Sequence, residues 1–433
     1  MRLALLAAVL LTSSFTPFTR PQPSAVTIDN VTIVDVTNGK LLPHKTIVVE
    51  GTRIARILNS TAATKAAATL DGTGRFVIPG MWDMHIHAYF TNDTARFHST
   101  SETMFPLFIV SGITGIRDMG SNLDAILSAR DSIAAHQLIG PRIMASGPML
   151  DGPETRYAAA IKVGTAEEAR AAVRMLKQRG VDHLKVQSLV PRDAYFAIAD
   201  EAAKVGLKFE GHVPNAITGL EAAAAHQYSF EHFIGVSDTN SALIKELSRL
   251  HLWQCPTMFH SLNYAADFAT DPGIPYWPKN QIAGWLRTSV TQVAGTDSAL
   301  RAREQRIDRR LAFVKKLYDL KVPLLAGTDA PAGFDLVPGP SVHRELQLFV
   351  RGGLTPLQAL QTSTINPAIF LGKEAELGTV TEGKIADFVV LARNPLVDIS
   401  NTLSTVAVVA DGRYYSPADL NRMRIHLIEL AAK

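Results

Sequence analysis

The stretch FVIPGMWDMHIHA, residues 76–88, decides how the rest of the chain is read. It runs apolar into Asp83-Met84-His85-Ile86-His87. Residues two apart in a strand point to the same side, so both imidazoles can face one metal ion at the end of that strand. Thirteen histidines are spread over 433 residues, which gives on the order of 0.4 His-x-His pairs by chance, a false-positive risk the motif does not beat alone. Its weight depends on the remainder of the chain.

Downstream of His87, short apolar runs alternate with longer helical patterns, the pattern of βα units on a parallel sheet. Eight strand candidates are legible: the opening run from Phe76, ITGIRDMG from Ile113, RIMASGP from Arg142, DHLKVQ from Asp182, KFEGHV from Lys208, YSFEHF from Tyr228, LWQCPTM from Leu252 and VPLLAGTDA from Val322. Helical segments such as AEEARAAVRMLKQRG, from Ala166 to Gly180, separate most of them. Eight such units fill roughly 250 residues in a TIM-like (β/α)8 barrel, and that α/β fold is the one expected. A doubly wound sheet is the alternative, but no Gly-x-Gly-x-x-Gly turn comes after the first strand. The segment from Phe259 to Ser298, with Tyr264, Phe268, Tyr276, Trp277 and Trp285, reads as a lid or pocket wall.

Both ends of the chain are β-rich. AVTIDNVTIVDV and TIVVEGTRIARIL precede the barrel, and ADFVVLA and STVAVVADGRYY come after it. Residues 26–75 and 376–433 are therefore expected to form one small β-sandwich domain around a barrel of residues 76–375. At the front, MRLALLAAVLL places Arg2 ahead of an apolar run from Leu3 to Leu11, succeeded by a polar, Pro-rich stretch to Ser24. That profile is a signal peptide over residues 1–25, so a secreted or periplasmic product is expected. The run is shorter than the ~20 residues a bilayer span needs, and no membrane association is expected after processing.

Composition narrows the classes further. Hydrophobic residues make up 47% of the chain, enough for one large core. A net charge of +3 with 19% charged residues offers no electrostatic case for nucleic acid. The lone Cys255 excludes an intrachain disulfide and is read as core packing.

The ends of the later strand candidates carry further metal-ligand types: Lys185 in the fourth, His212 closing the fifth, His232 closing the sixth and Asp329 closing the eighth. Each has an ordinary reading by itself, as a core histidine, a snorkelling lysine or a capping aspartate. Six placements at C-terminal strand ends make coincidence a poor account.

With these stretches in order, together with HRELQLFVRGGLTPLQALQTSTINPAIFLG and GTVTEGKIADFVVLARNPL, the chain resembles the amidohydrolase superfamily, in its imidazolonepropionase-like and Xaa-Pro-dipeptidase-like branch. The resemblance covers nearly the whole mature chain. It implies that His85, His87 and Asp329 bind one divalent metal, that His212 and His232 bind a second, and that Lys185 bridges the two as a carbamate. Burial and nearby cations lower a lysine pKa, which makes that reaction with carbon dioxide feasible. It implies hydrolysis by a metal-bridging hydroxide with Asp329 as proton shuttle, and zinc as the expected ion.

Candidates for substrate binding are Arg117, Arg156, Tyr157, His260 and His343. Dipeptidase-like relatives often carry a tyrosine two residues beyond the fifth-strand histidine, whereas Pro214 stands there in this chain. The aromatic insertion points instead to a bulky apolar group, as in relatives similar to ochratoxin-hydrolysing amidases. The expected substrate is a dipeptide or N-acyl amino acid. The rivals are a lactone, an ester or a cyclic imide, and a catalytically silent binding homologue. The sequence leaves a homo-oligomer open.

Overall fold

Alternating β-branched residues build the first sheet. In the computed structural model, which describes residues 25–66, 69–90, 100–262, 273–276, 297–332 and 336–432, β1 (Ala25–Val34) forms antiparallel pairs with β2 (Leu41–Glu50), which pairs in turn with β3 (Arg53–Asn59). The short β4 (Leu70–Asp71) and β5 (Phe76–Pro79) run parallel to β1. Except for Ala25, the expected leader lies outside the described residues, as does most of the aromatic insertion. Within the insertion Phe259, His260 and Tyr276 are described. No described helix is long and apolar enough to cross a membrane.

Gly80 carries the chain from β5 into β6 (Met81–Ile86), the first inner strand. A side chain at Gly80 would meet Thr114 Oγ1 at 1.9 Å, so only glycine allows the two segments to approach there. β6, β7 (Ile113–Asp118) and β8 (Arg142–Ala145) form a parallel three-stranded set. Next come β9 (Met149–Asp151), β10 (Ala160–Lys162), β11 (Leu184–Val186), β12 (Phe209–Gly211), β13 (Ser229–Glu231) and β14 (Trp253–Cys255), in the parallel order β10-β9-β11-β12-β13-β14.

Single contacts connect these sets into one curled arrangement. Asp182 N donates to Ala145 O (2.8 Å), and parallel bridges join Gln254 to Leu324 and Ile86 to Ala330. The eighth strand candidate is present only as those bridges. Its backbone bonds go to three neighbours: Leu325 N to Gln254 O (2.9 Å), Ala326 N to Thr362 O (3.0 Å) and Asp329 N to His85 O (2.7 Å).

The C-terminal strands β15 (Phe388–Leu391), β16 (Thr405–Ala410) and β17 (Arg413–Tyr415) return to the first sheet. The result is a single eight-stranded sheet in the order β17-β16-β15-β5-β1-β2-β3, with β4 beside β1. β5 thus belongs to the terminal sheet, although the sequence pattern runs it into the first inner strand. Val26, Ile28, Ile47, Val77, Phe388, Val390 and Val409 bury its face in a core of their own. The last helix, Pro417–Ala432, places Leu420, Met423 and Leu427 in the larger core that surrounds the inner strands.

Candidate metal centre

Strand ends bring the six expected ligand-type residues into one neighbourhood. His85 is in β6 and His87 lies just beyond it, Lys185 is in β11, His212 and His232 directly succeed β12 and β13, and Asp329 ends the segment bridged to β6. The backbone at His232 (φ 59°) and Asp329 (φ 65°) is left-handed, a conformation that clusters at functional sites when the surroundings hold it in place.

Asp329 is the hub. Its Oδ1 lies 3.1 Å from His87 Nε2 and 3.4 Å from His85 Nε2, while its Oδ2 lies 3.8 Å from His232 Nε2. One ligand atom each from His85, His232 and Asp329 falls within 4.8 Å of the others. His212 completes the cluster, its ring 5.1 Å from that of His232. Each imidazole is anchored through Nδ1: His85 to Glu231 Oε2 (2.7 Å), His87 to Gly120 O (2.9 Å), His212 to Ser188 Oγ (2.7 Å) and His232 to Thr257 Oγ1 (2.5 Å). Carboxylate and carbonyl oxygens only accept, so His85 and His87 each carry a hydrogen on Nδ1 and turn Nε2 towards Asp329.

The electrostatics suit a cation. Burial, and after it the Lys185 charge, holds His85 and His212 well below the usual imidazole range, and burial does the same for His232. Asp329 is buried, which raises its pKa, yet His232, His85 and His87 together hold it well below the carboxylate range. Burial pulls the Lys185 amine down to about 8 against the opposing pull of Glu231 and Asp329. His85 Nε2, Lys185 Nζ and Asp329 Oδ1 are buried without a hydrogen-bond partner. Polar atoms left that way cost roughly 1–3 kcal/mol each; a cation would satisfy the imidazole and the carboxylate, while the amine could join them only after conversion to an anionic oxygen ligand. Neutral imidazoles and an ionised carboxylate are a fitting donor set for a divalent metal.

The substrate-binding candidates divide. Tyr157 stands 5.4 Å from the Phe90 ring, which lies 4.6 Å from that of His87, so the two aromatics wall one side of the cluster. His260 Nδ1 is 3.7 Å from Asp329 Oδ2, and Arg156 is exposed. Arg117 and His343 need correction. Arg117 is wholly buried beneath the cluster, donating to Met84 O, Glu210, Ser229 and Glu231. His343 is buried with Nδ1 at Thr402 Oγ1 (2.9 Å) and Nε2 at Ser111 O (3.0 Å). Neither side chain has an atom left to offer a substrate.

Sequence reasoning missed Glu231, Ser188 and Thr257, which hold the imidazoles, and Asp83, pushed up to about 7 by burial and bonded by Thr328 Oγ1 at 2.6 Å. Glu231 shares strand parity with Ser229, and both side chains meet Arg117 on the inner side of β13.

A curled parallel sheet with histidines and an aspartate at its strand ends defines a hydrolase centre able to hold metal. The chain belongs to the amidohydrolase family, whose profile matches residues 76–414, and it is a hydrolase acting on carbon–nitrogen bonds. It is 25% identical over 400 residues to ochratoxinase from Aspergillus niger, spanning 79% of this chain and 74% of that one. Similarity to an adenine deaminase from Rubrobacter xylanophilus is 23% over 408 residues, covering 90% of this chain but 58% of the relative. Among solved structures, a candidate prolidase from Bifidobacterium longum superimposes with a TM-score of 0.72 at 27% identity, covering 94% of this chain and all of that one.

Proposed function

We propose that the chain is an exported hydrolase that uses two divalent metals, zinc in the first instance, to cleave an amide bond in a dipeptide or N-acyl amino acid. The curled sheet is read as a (β/α)8 barrel with the site at its C-terminal mouth. His85, His87 and Asp329 would hold one ion and His212 and His232 the other, with Lys185 between them as its carbamate. The observation that carries this reading is the convergence of unpartnered His85 Nε2, Lys185 Nζ and Asp329 Oδ1 among neutral imidazoles.

When bound, the ions supply a water acidified to near neutrality and a positive charge for the scissile carbonyl oxygen. The protein's own residues do the rest. The Nδ1 anchors fix each imidazole before substrate arrives. Asp329 Oδ2, 3.7 Å from His260, would take up a proton and return it to the leaving nitrogen. Phe90 and Tyr157 shield the His87 side from water and offer stacking area to a bulky acyl or side-chain group.

Similarity to adenine deaminases favours a second reading, in which the carbon–nitrogen bond belongs to a heterocyclic amine. One experiment addresses both. Purified protein made without chelators is analysed for metal and assayed against N-acyl amino acids, dipeptides and adenine. About two ions per chain with amide turnover is expected. Full activity at one ion would overturn the binuclear reading, and ammonia release from adenine alone would favour the deaminase.

A further inference from the structure

Of the four imidazoles, only His85 rests on a charged group. His87 meets a backbone carbonyl, and His212 and His232 meet hydroxyls, whereas His85 Nδ1 donates to Glu231 Oε2 at 2.7 Å. Glu231 is held from every side. Arg117 NH2 donates to Oε1 (3.0 Å) and Oε2 (3.1 Å), and Ser229 Oγ makes a short bond to Oε1. Arg117 is as fully engaged, with Nε on Met84 O (2.6 Å), NH1 on Glu210 Oε2 (2.6 Å) and Ser229 Oγ (2.8 Å), and its guanidinium 4.9 Å over the Phe370 ring. All three charged side chains are fully buried. His85, Glu231 and Cys255 also lie close enough together to suggest a second cluster of ligands. But Glu231 already accepts four donor contacts, and burial drives the Cys255 thiol well above its ordinary pKa, so that trio is a support and not a site.

We infer that Glu231, fixed by Arg117, is a positioning residue that makes the metal position at His85 and His87 the tighter of the two. A carboxylate on Nδ1–H locks the tautomer and raises the basicity of Nε2 more than a hydroxyl does, and inside a dry interior the effect is not screened by water. The inference rests on the two-metal reading, and its test separates the two.

Metal-free wild type is titrated with Zn2+ against a chromophoric chelator, which resolves stepwise constants without any substrate. Wild type should show two steps. Glu231→Gln should weaken the tighter step by about 10- to 100-fold, the usual effect of losing such a partner, and leave the looser step within about threefold. Ser188→Ala, whose hydroxyl anchors His212, should do the reverse. Circular dichroism of the metal-free variants reports folding. If Glu231→Gln does not fold, Ser188→Ala alone decides, because weakening of the tighter step by that variant overturns the assignment. Equal weakening of both steps by a folded Glu231→Gln, or no weakening, also overturns it. Saturation of wild type by a single ion refutes the two-metal reading beneath it.

Discussion

Asp329 touches three imidazoles through its two oxygens and faces a fourth, so removing its charge while keeping its shape separates holding metal from moving protons. An amide oxygen still coordinates weakly but accepts no proton at neutral pH. Asp329→Asn should therefore keep much of its metal while turnover falls by about 10² to 10⁴, the usual contribution of a general acid–base group. Metal content measured beside kcat tests this, and turnover within about tenfold of wild type at full metal removes the shuttle role. Lys185 makes two predictions. Lys185→Ala should lose most activity and recover part of it with added short carboxylic acids, which can stand in for the oxygens of the proposed carbamate. In metal-free protein, the lysine pKa is pulled from 10.5 to about 8. The unfolded chain thus binds the extra proton between those values, and stability rises as pH climbs from about 8 to 10.5. Lys185→Met should flatten that rise, worth at most about 3 kcal/mol, in melts taken across the range. The clustering of the six candidate residues was legible because each sits at or beside a strand end. Arg117 was read as a substrate-binding candidate because its place in the motif does not reveal its depth, and it is wholly buried.

At the scale of elements, the β11–β12 pair shows how a strand is shaped around a functional side chain. Val186 pairs with Gly211, whose φ of 127° suits glycine, and a Cβ there would meet Val186 O at 2.2 Å and Lys185 Cδ at 2.9 Å. Gly211→Ala should cost at least about 2 kcal/mol in denaturant melts and reduce activity with it, since the strain falls on Lys185. Thr165→Ala is the contrast. It removes the capping box of the helix Ala166–Arg179, whose bonds stay between Thr165 and Glu168, and should cost about 1 kcal/mol with kcat unchanged. That helix was readable in full, from its capping residues to Gly180 in the left-handed conformation at its end. β9 and β10, three residues each, carried too little periodicity to be seen. The segment from Val322 has the composition of a strand, but its hydrogen bonds divide among several neighbours.

For the whole molecule, the β-rich composition of both termini made their partnership legible, while the exact membership of β5 depended on pairing that no local pattern encodes. The inner and terminal sheets are joined through Arg142, whose NH2 donates to Asp411 Oδ1 at 2.7 Å and lies 3.5 Å from Asp387 Oδ2. Burial raises the Asp387 pKa, so that carboxylate relies on its partners. Arg142→Ala should lower stability by about 1–2 kcal/mol, allowing for partial solvent screening, and leave kcat/KM unchanged because the cluster is at the other end of the inner strands. A thermal melt beside a turnover assay checks both halves of that expectation.

The position of β5 between β1 and β15 also sets a timetable for synthesis. Pro79 pairs with Phe388, 309 residues further along the chain. A ribosome adding about 5–20 residues per second delivers β15 roughly 15–60 s after β5. Throughout that interval the edge carrying Val77 and Ile78, buried in the finished protein, stands open to wrong partners. A nascent chain therefore needs that edge shielded until β15 has been made, and a chain broken off before residue 388 never covers it. The terminal sheet thus hides its adhesive strand only in chains that have been made past residue 388.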